Sequence, residues 1–298
     1  MARTPSRATP WSPSADQRGP VPAGDDGVRE LGAADTAALR ELIAADRVAN
    51  IFLDAQLGSR GIVAGTGRIL GLFVAGRLTA ACWAGANIVP VGTTEEVAAP
   101  VAEALLAMRR RFSSIFGPAE SVLPLWEAIK GHSPHPFDVR PDQPLLAIGP
   151  DVPVDDPGLV RVAEQADFDV VLPASVDMFT EEVGYSPLQA GEQSYRERVR
   201  GFIAAGQCLI HRDRHGDIVF KADLGTISAH ASQVQGVWVN PRHRGQGLAT
   251  GFMADVVALA RLRAPVVSLY VNDFNTRARA VYEHVGFTPV GRFATVLF

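Results

Sequence analysis

Arg242-His243-Arg244-Gly245-Gln246-Gly247 joins a strand candidate to a helix candidate, and its reading decides the fold. Ahead of it, Gln233-Val234-Gln235-Gly236-Val237-Trp238-Val239 reads as a strand closed by Asn240-Pro241. Behind it, Leu248, Phe252, Met253, Val256, Val257, Leu259 and Ala260 recur at helical spacing as far as Arg263, and Pro265 ends the run. The two glycines let the backbone turn tightly and approach a ligand without Cβ clashes. Successive N–H groups there, with the first unpaired N–H groups of the Leu248 helix, make a concave donor site at the positive end of the helix dipole. A pyrophosphate is the natural guest: Arg242 and Arg244 add charge that does not titrate, and Thr250 adds a hydroxyl. Taken alone, the same loop also reads as a plain tight turn. It is neither a Walker loop, which needs Gly-Lys-Ser/Thr at its end, nor the G-x-G-x-x-G of a dinucleotide fold.

Working outward, the chain alternates strands and helices. Upstream come a short strand at Leu159–Ala163, a helix that Asp167 can cap with Pro173 in its first turn, and a second helix over Tyr195–Ala205. Strands Gln207–Arg212 and Ile218–Ile227 form a hairpin across Arg214-His215-Gly216-Asp217. Downstream are a strand at Val266–Val271, a helix over Asn275–His284 and a final strand at Val290–Phe298. This order predicts an α/β (α+β) fold, with a mixed, mostly antiparallel central sheet flanked by helices.

The downstream helix carries a second motif, Asn275-Thr276-Arg277-Ala278-Arg279-Ala280-Val281-Tyr282-Glu283-His284-Val285-Gly286-Phe287. With the glycine loop it resembles the GNAT acetyltransferase superfamily, in which R/Q-x-x-G-x-G/A closes one strand and N-x-x-A-x-x-x-Y-x-x-x-G-F follows the next. The resemblance covers about residues 159–298. It implies that Arg242, His243, Arg244, Gly245, Gln246, Gly247, Leu248, Ala249 and Thr250 hold the pyrophosphate of acetyl-CoA. The backbone of Val237, Trp238 and Val239 would pair with pantetheine, Asn275 would hold the pantetheine arm, and Tyr282 would be the general acid for the departing thiolate. Acetyl transfer to an amine needs a neutral amine, a polarised carbonyl and that proton. By itself Tyr282 also fits an ordinary half-buried helical tyrosine.

One departure concerns the base. Many members of the superfamily carry a glutamate on the strand before the glycine loop, where this chain has Gln233 and, two residues on, Gln235. Neither amide takes a proton. Glu181, Glu182 and Asp223 remain, and the base is unassigned. Lys221 and Asp223 share one face of a strand and read as an exposed ion pair, a place in the acceptor cleft being the alternative.

The rest of the chain sets the frame. At 298 residues, with 47% hydrophobic content, it is long enough for roughly two domains. Residues 1–27, rich in Pro, Ser, Gly and Arg, read as a disordered tail, and 149–158, with three prolines, two glycines and three acids, as a linker. Between them, 28–148 repeat nearly the same element order as 159–298. Val28–Leu31 is a strand, Asp35 caps a helix, and Ile69–Val74 pairs with Leu78–Trp83 before a strand at Asn87–Val91. Thr93-Thr94-Glu95-Glu96 is a capping-box signature opening a helix to about Arg111, followed by strands at Ser113–Phe116 and Leu145–Ile148 around a helix near Leu123–Lys130. No glycine loop follows Val91 and Gly65-Thr66-Gly67 reads as a loop rather than a phosphate site, so this half is expected to be a degenerate, non-catalytic duplicate that shapes or covers the acceptor site. The layout resembles actinobacterial tandem members of the superfamily.

A net charge of −4 with mixed signs argues against a nucleic-acid or membrane-surface partner. The absence of a long apolar run, together with two distant cysteines, Cys82 and Cys208, read as free thiols, points to the cytoplasm. The histidines lack metal-ligand spacing, so no metal is expected. The expected partner is a small-molecule or protein amine acceptor. An acyl-CoA sensor without turnover and an interaction scaffold are the alternative readings.

Overall fold

The structure, a computed structural model, describes residues 26–62 and 67–298, with the backbone alone of Ala190. Most of the expected tail and the Gly65-Thr66 part of the loop lie outside those residues. Among the described residues no helix is long and apolar enough to cross a membrane.

The first half runs β1 (Gly27–Glu30), α1 (Thr36–Ala44), α2 (Ile51–Leu57), β2 (Arg68–Val74), β3 (Arg77–Ala84), β4 (Asn87–Val91), α3 (Ala98–Ala107), β5 (Ser114–Pro118), α4 (Ala119–Ile129) and β6 (Asp138–Ile148). The second repeats that order: β7 (Arg161–Val162), α5 (Phe168–Val183), α6 (Pro187–Ala204), β8 (Cys208–Arg212), β9 (Ile218–Ile227), β10 (Ala231–Val239), α7 (Leu248–Arg261), β11 (Val266–Tyr270), α8 (Thr276–Val285) and β12 (Thr288–Leu297). All twelve strands form one sheet in the order β1-β2-β3-β4-β5-β12-β6-β11-β10-β9-β8-β7. Pairing is antiparallel except at β4/β5 and β10/β11.

The sheet order contains an exchange. β12, at the far end of the second half, lies between β5 and β6 of the first, through pairs such as Ala294↔Gly117 and Thr288↔Ala147. β6 in turn pairs with β11 through Val267↔Ile148 to Tyr270↔Leu145. Each half thus completes its sheet with the other's last strand. The cores follow the same scheme. α3 and α4 pack on β2–β5 together with Ala294 and Val296 of β12. α7 and α8 pack on β9–β11 together with Leu146 and Ile148 of β6. The opposite faces are covered by α1 and α2 in the first half and by α5 and α6 in the second.

The repetition reaches single side chains. Asp35 and Asp167 each precede a helix, as expected, but neither caps it. A 3₁₀ turn comes first, and each carboxylate turns back onto the N–H three residues earlier, Gly32 at 2.8 Å and Glu164 at 2.9 Å. Each also takes both guanidinium nitrogens of an arginine six residues before it, Arg29 or Arg161. Asp167 adds Arg212 at 2.9 Å.

Two expectations are corrected. Pro173 is the sixth residue of α5 rather than part of its first turn. The helix expected from Thr93 begins only at Ala98, because Thr93 is fully buried and its N–H is held by the Ser121 hydroxyl. That helix ends at Ala107, before Arg109 takes a positive φ. The proposed linker is pinned to α7: the buried Asp255 carboxylate accepts the N–H groups of Gly158, Leu159 and Val160 at 2.9, 2.6 and 2.8 Å, and Arg261 donates to the carbonyls of Gly149 and Val152.

The Arg161 hydrogen bond, aided by the Glu164 N–H and by Arg212 against the opposing effect of burial, holds the Asp167 carboxyl well below the ordinary carboxylate range. A carboxyl depressed on folding contributes stability that is present above its unfolded value, near 4, and is lost as pH falls through the folded value. The wild type is therefore expected to exceed Asp167→Asn in urea midpoint at pH 6, with a gap that shrinks steadily below about pH 4.

Candidate functional site

β10 and β11 meet for three residues only. Their parallel ladder runs Ala231↔Val266, Ser232↔Val267, Gln233↔Ser268 and stops. Beyond it β11 stays with β6, whereas β10 stays with β9 from Val234 to Val239, so a gap opens between them. Along that stretch β10 carries a bulge, with Gln235 opposite Asp223 but Trp238 opposite Lys221. The extra residue includes Gly236 at φ +58°. A Cβ there would stand 2.8 Å from Met178 Sδ, so the bulge demands glycine on steric as well as conformational grounds.

The glycine loop closes this gap at one end. Asn240 fixes its entry, with Oδ1 accepting from Arg242 N at 3.1 Å and Nδ2 donating to the Ile218 carbonyl at 3.0 Å. Gly245 and Gly247 sit at φ +76° and +75°, and no atom lies within 4 Å of where their Cβ would be. They face open space at the N-terminus of α7, whose first turn holds Leu248, Ala249 and Thr250, all half-buried. Of the two arginines, Arg244 is engaged: its Nε donates to the Val239 carbonyl at 2.8 Å, and a terminal nitrogen reaches Glu181 at 2.6 Å. Glu181 also accepts the Trp238 indole N–H at 3.0 Å. Arg242 is exposed and makes no ion pair among the described residues, while His243 is half-buried and Gln246 folds back to the Arg242 carbonyl. Val237 and Val239 pack toward α7, whereas Trp238 joins the core under α5 and α6.

On α8, Asn275 is an N-cap whose side chain accepts from Ala278 N at 3.2 Å. Tyr282 is 6% exposed and packs beside Phe287. Burial, with a smaller push from the Glu182 charge, raises its phenol above the ordinary tyrosine range, so it keeps its proton at neutral pH.

Across the sheet from α7, under α5 and α6, lies a cavity of about 250 Å³. Its wall includes Gln235 and Gly236 of β10, Tyr270 of β11 and, from the first half, Arg140 and Gln143 of β6. Gln143 bridges the halves: its Nε2 donates to Asn272 Oδ1 at 2.9 Å and its Oε1 accepts from Thr295 Oγ1 at 2.6 Å. Lys221 and Asp223 do not form the expected exposed pair. Both are buried in this wall, joined ammonium to carboxylate, because their stretch of β9 is covered on both faces. Of the other acids considered for the base, Glu181 is tied to Trp238 and Arg244, and Glu182 is a surface partner of Arg140 at 3.2 Å. Gln233 is buried, and its Nε2 has no partner among the described residues. Sequence reasoning missed Arg140, Gln143 and Asn240. For the first two no local signal exists, since the strand exchange brings them here.

Comparison with known proteins agrees with this geometry. Residues 180–287 match the model of the Acetyltransferase (GNAT) family, and residues 67–171 match a Domain of unknown function (DUF4081). A mycothiol acetyltransferase from Beutenbergia cavernae is 36% identical over 83 residues, so the match spans 28% of this chain and 28% of that relative's length. A GCN5-related N-acetyltransferase from Sphaerobacter thermophilus shares the fold at a TM-score of 0.59 and 18% identity, over 90% of this chain and 94% of its own. A tandem GNAT protein from the clavulanic acid biosynthesis pathway does so at 0.52 and 17%, over 91% and 98%. The second half thus carries a GNAT-family domain.

The bulge gives a direct test. Gly236→Ala forces an L-residue to a positive φ against Met178 and is expected to cost about 1–2 kcal/mol or more, read from the urea unfolding midpoint.

Proposed function

We propose that this chain is an acetyl-CoA-dependent N-acetyltransferase that passes an acetyl group to a primary amine by direct attack, with Tyr282 as general acid. The observation that carries this reading is the gap between β10 and β11 ending on the open glycine loop. Those residues fit the cofactor. Gly245 and Gly247 leave room for a pyrophosphate against the first N–H groups of α7, with Arg242 available as a cation. The unladdered edge of Val237, Trp238 and Val239 offers backbone groups to an amide-bearing arm, for which Asn275, the N-cap of α8, is the proposed side-chain partner. Arg244 serves by a different route than direct charge, since its bonds to Val239 and Glu181 hold the loop against β10.

In the reaction the amine lone pair forms the new C–N bond. The thioester C–S bond breaks with its electrons on sulfur, the sulfur takes a proton from the Tyr282 hydroxyl, and the proton released by the nitrogen passes to water, from which the phenolate regains its own. The buried phenol arrives protonated, as this step requires. The cavity under α5 and α6 is the acceptor side, and its volume lies just below the usual range for small-molecule sites, roughly 300–1,000 Å³, which favours a small amine over a protein side chain. The buried free thiols of Cys82 and Cys208 are in keeping with a cytoplasmic setting. A second reading, acyl-CoA sensing without turnover, is favoured by one observation: the buried Gln233 amide stands where a glutamate base is common in the superfamily.

Two substitutions test the roles of Tyr282 and the loop. Tyr282→Phe is expected to lower single-turnover acetyl transfer by about 100-fold or more while leaving acetyl-CoA affinity nearly unchanged; equal rates would remove Tyr282 as the acid. Gly247→Arg fills the loop and is expected to abolish acetyl-CoA binding by calorimetry in a protein that still unfolds cooperatively. Retained binding by that variant would sink the loop assignment.

A further inference from the structure

Resting on that reading, we infer that the acceptor is a primary amine carried on an apolar body, and that the buried carboxylate of Asp223 anchors its nitrogen. The cavity wall holds two carboxylates, Asp223 and Glu182. The Glu182 side chain is 51% exposed at the surface and bound to Arg140. The Asp223 side chain is 10% exposed: Oδ2 takes the Lys221 ammonium and points toward the Gly236 bulge, whereas Oδ1 is sealed from solvent with no partner among the described residues. A carboxylate so deeply buried and balanced by a single ammonium is costly, and a further nitrogen donor brought to Oδ2 from the cavity relieves that cost.

The position suits the chemistry. Asp223 faces Gln235 across the ladder, and its Oδ2 lies 3.4 Å from where a Cβ of Gly236 would stand. That is the bulge at which β10 leaves β11. A nitrogen held by Asp223 therefore sits beside the gap into which the thioester would be threaded.

From α5 and α6 the wall presents the aromatic side chains Phe179, Tyr195 and Phe202. Phe179 touches Tyr195 edge-on at 5.8 Å and Tyr185 at 5.7 Å, and Tyr185 meets Phe137 at 6.1 Å. Phe137 and Tyr185 are 50% and 41% exposed, so an aromatic path leads from the surface to the cavity. The charges in the wall, Arg140, Arg198 and Lys221 against Glu182 and Asp223, leave no excess of carboxylate for a polycation. A single amine on an apolar body meets these conditions and a polyamine does not.

The test is calorimetric titration of the full chain with phenethylamine as probe, with spermidine as comparator and acetyl-CoA titrated in parallel. Wild type is expected to bind phenethylamine more tightly than spermidine. Asp223→Asn should weaken phenethylamine ~10-fold or more while acetyl-CoA affinity stays unchanged. The double variant K221M/D223N removes both charges together, keeps the cavity neutral, and should show the same loss if the single variant folds poorly. No phenethylamine binding by wild type, or binding that neither variant weakens, overturns the inference. If acetyl-CoA fails to bind while phenethylamine binds and responds to D223N, the Asp223 assignment stands and the acetyl-transfer reading falls.

Discussion

Two strands out of sequence order hold the molecule together. Because β12 inserts between β5 and β6, and β6 then pairs with β11, the sheet passes from one half to the other without a break. The helices on each face consequently bury apolar side chains from both halves. Around β6 this has a chemical consequence: Arg140 and Gln143, encoded in the half without a glycine loop, stand in the wall of the cavity beside β10. The half without a glycine loop thus supplies part of the cavity wall beside β10.

The same arrangement explains how β10 and β11 can part. A strand leaving its neighbour exposes backbone groups that must find partners or water. β11 is secured on its other edge by β6 and β10 by β9, so the three-residue ladder between them is enough to fix their start while the rest diverges. The bulge at Gly236 then turns β10 further, with Met178 of α5 filling the space a side chain would need. Below it the Lys221–Asp223 pair is buried where a hydrophobic pair would pack more cheaply.

Much of this was legible in the sequence. The loop from Arg242 to Gly247 identified its strand and helix because glycine and helix-start chemistry are local, and the repeated element order of the two halves could be read from hydrophobic periodicity. What depends on distant partners was not legible. Nothing in the apolar pattern of β6 or β12 says which neighbour each will take. Lys221 and Asp223, two residues apart, are equally at home on a wet strand face, and only the covering by α5 and α6 makes them a buried pair. Arg244 carries the charge a phosphate would want, yet Glu181, on a helix more than sixty residues earlier, claims it. Asp35 and Asp167 marked their helix starts correctly but by an unexpected bond, because a 3₁₀ turn precedes each helix and turns the carboxylate back onto an arginine.

The exchanged strands also bear on how such a chain is made. During synthesis β5 and β6 emerge well before β12, which must later slot between them, and β6 likewise waits for β11. Until then the growing polypeptide presents open strand edges with unpaired N–H and C=O groups, the features that invite pairing with a neighbouring molecule. Partners separated by more than half the chain bring a heavy loop-closure cost and slow the final docking. Ribosome-bound intermediates of this protein are thus more exposed to misassembly than the finished sheet suggests, and the duplicated architecture ties its yield to whatever shields those edges until the last strand arrives.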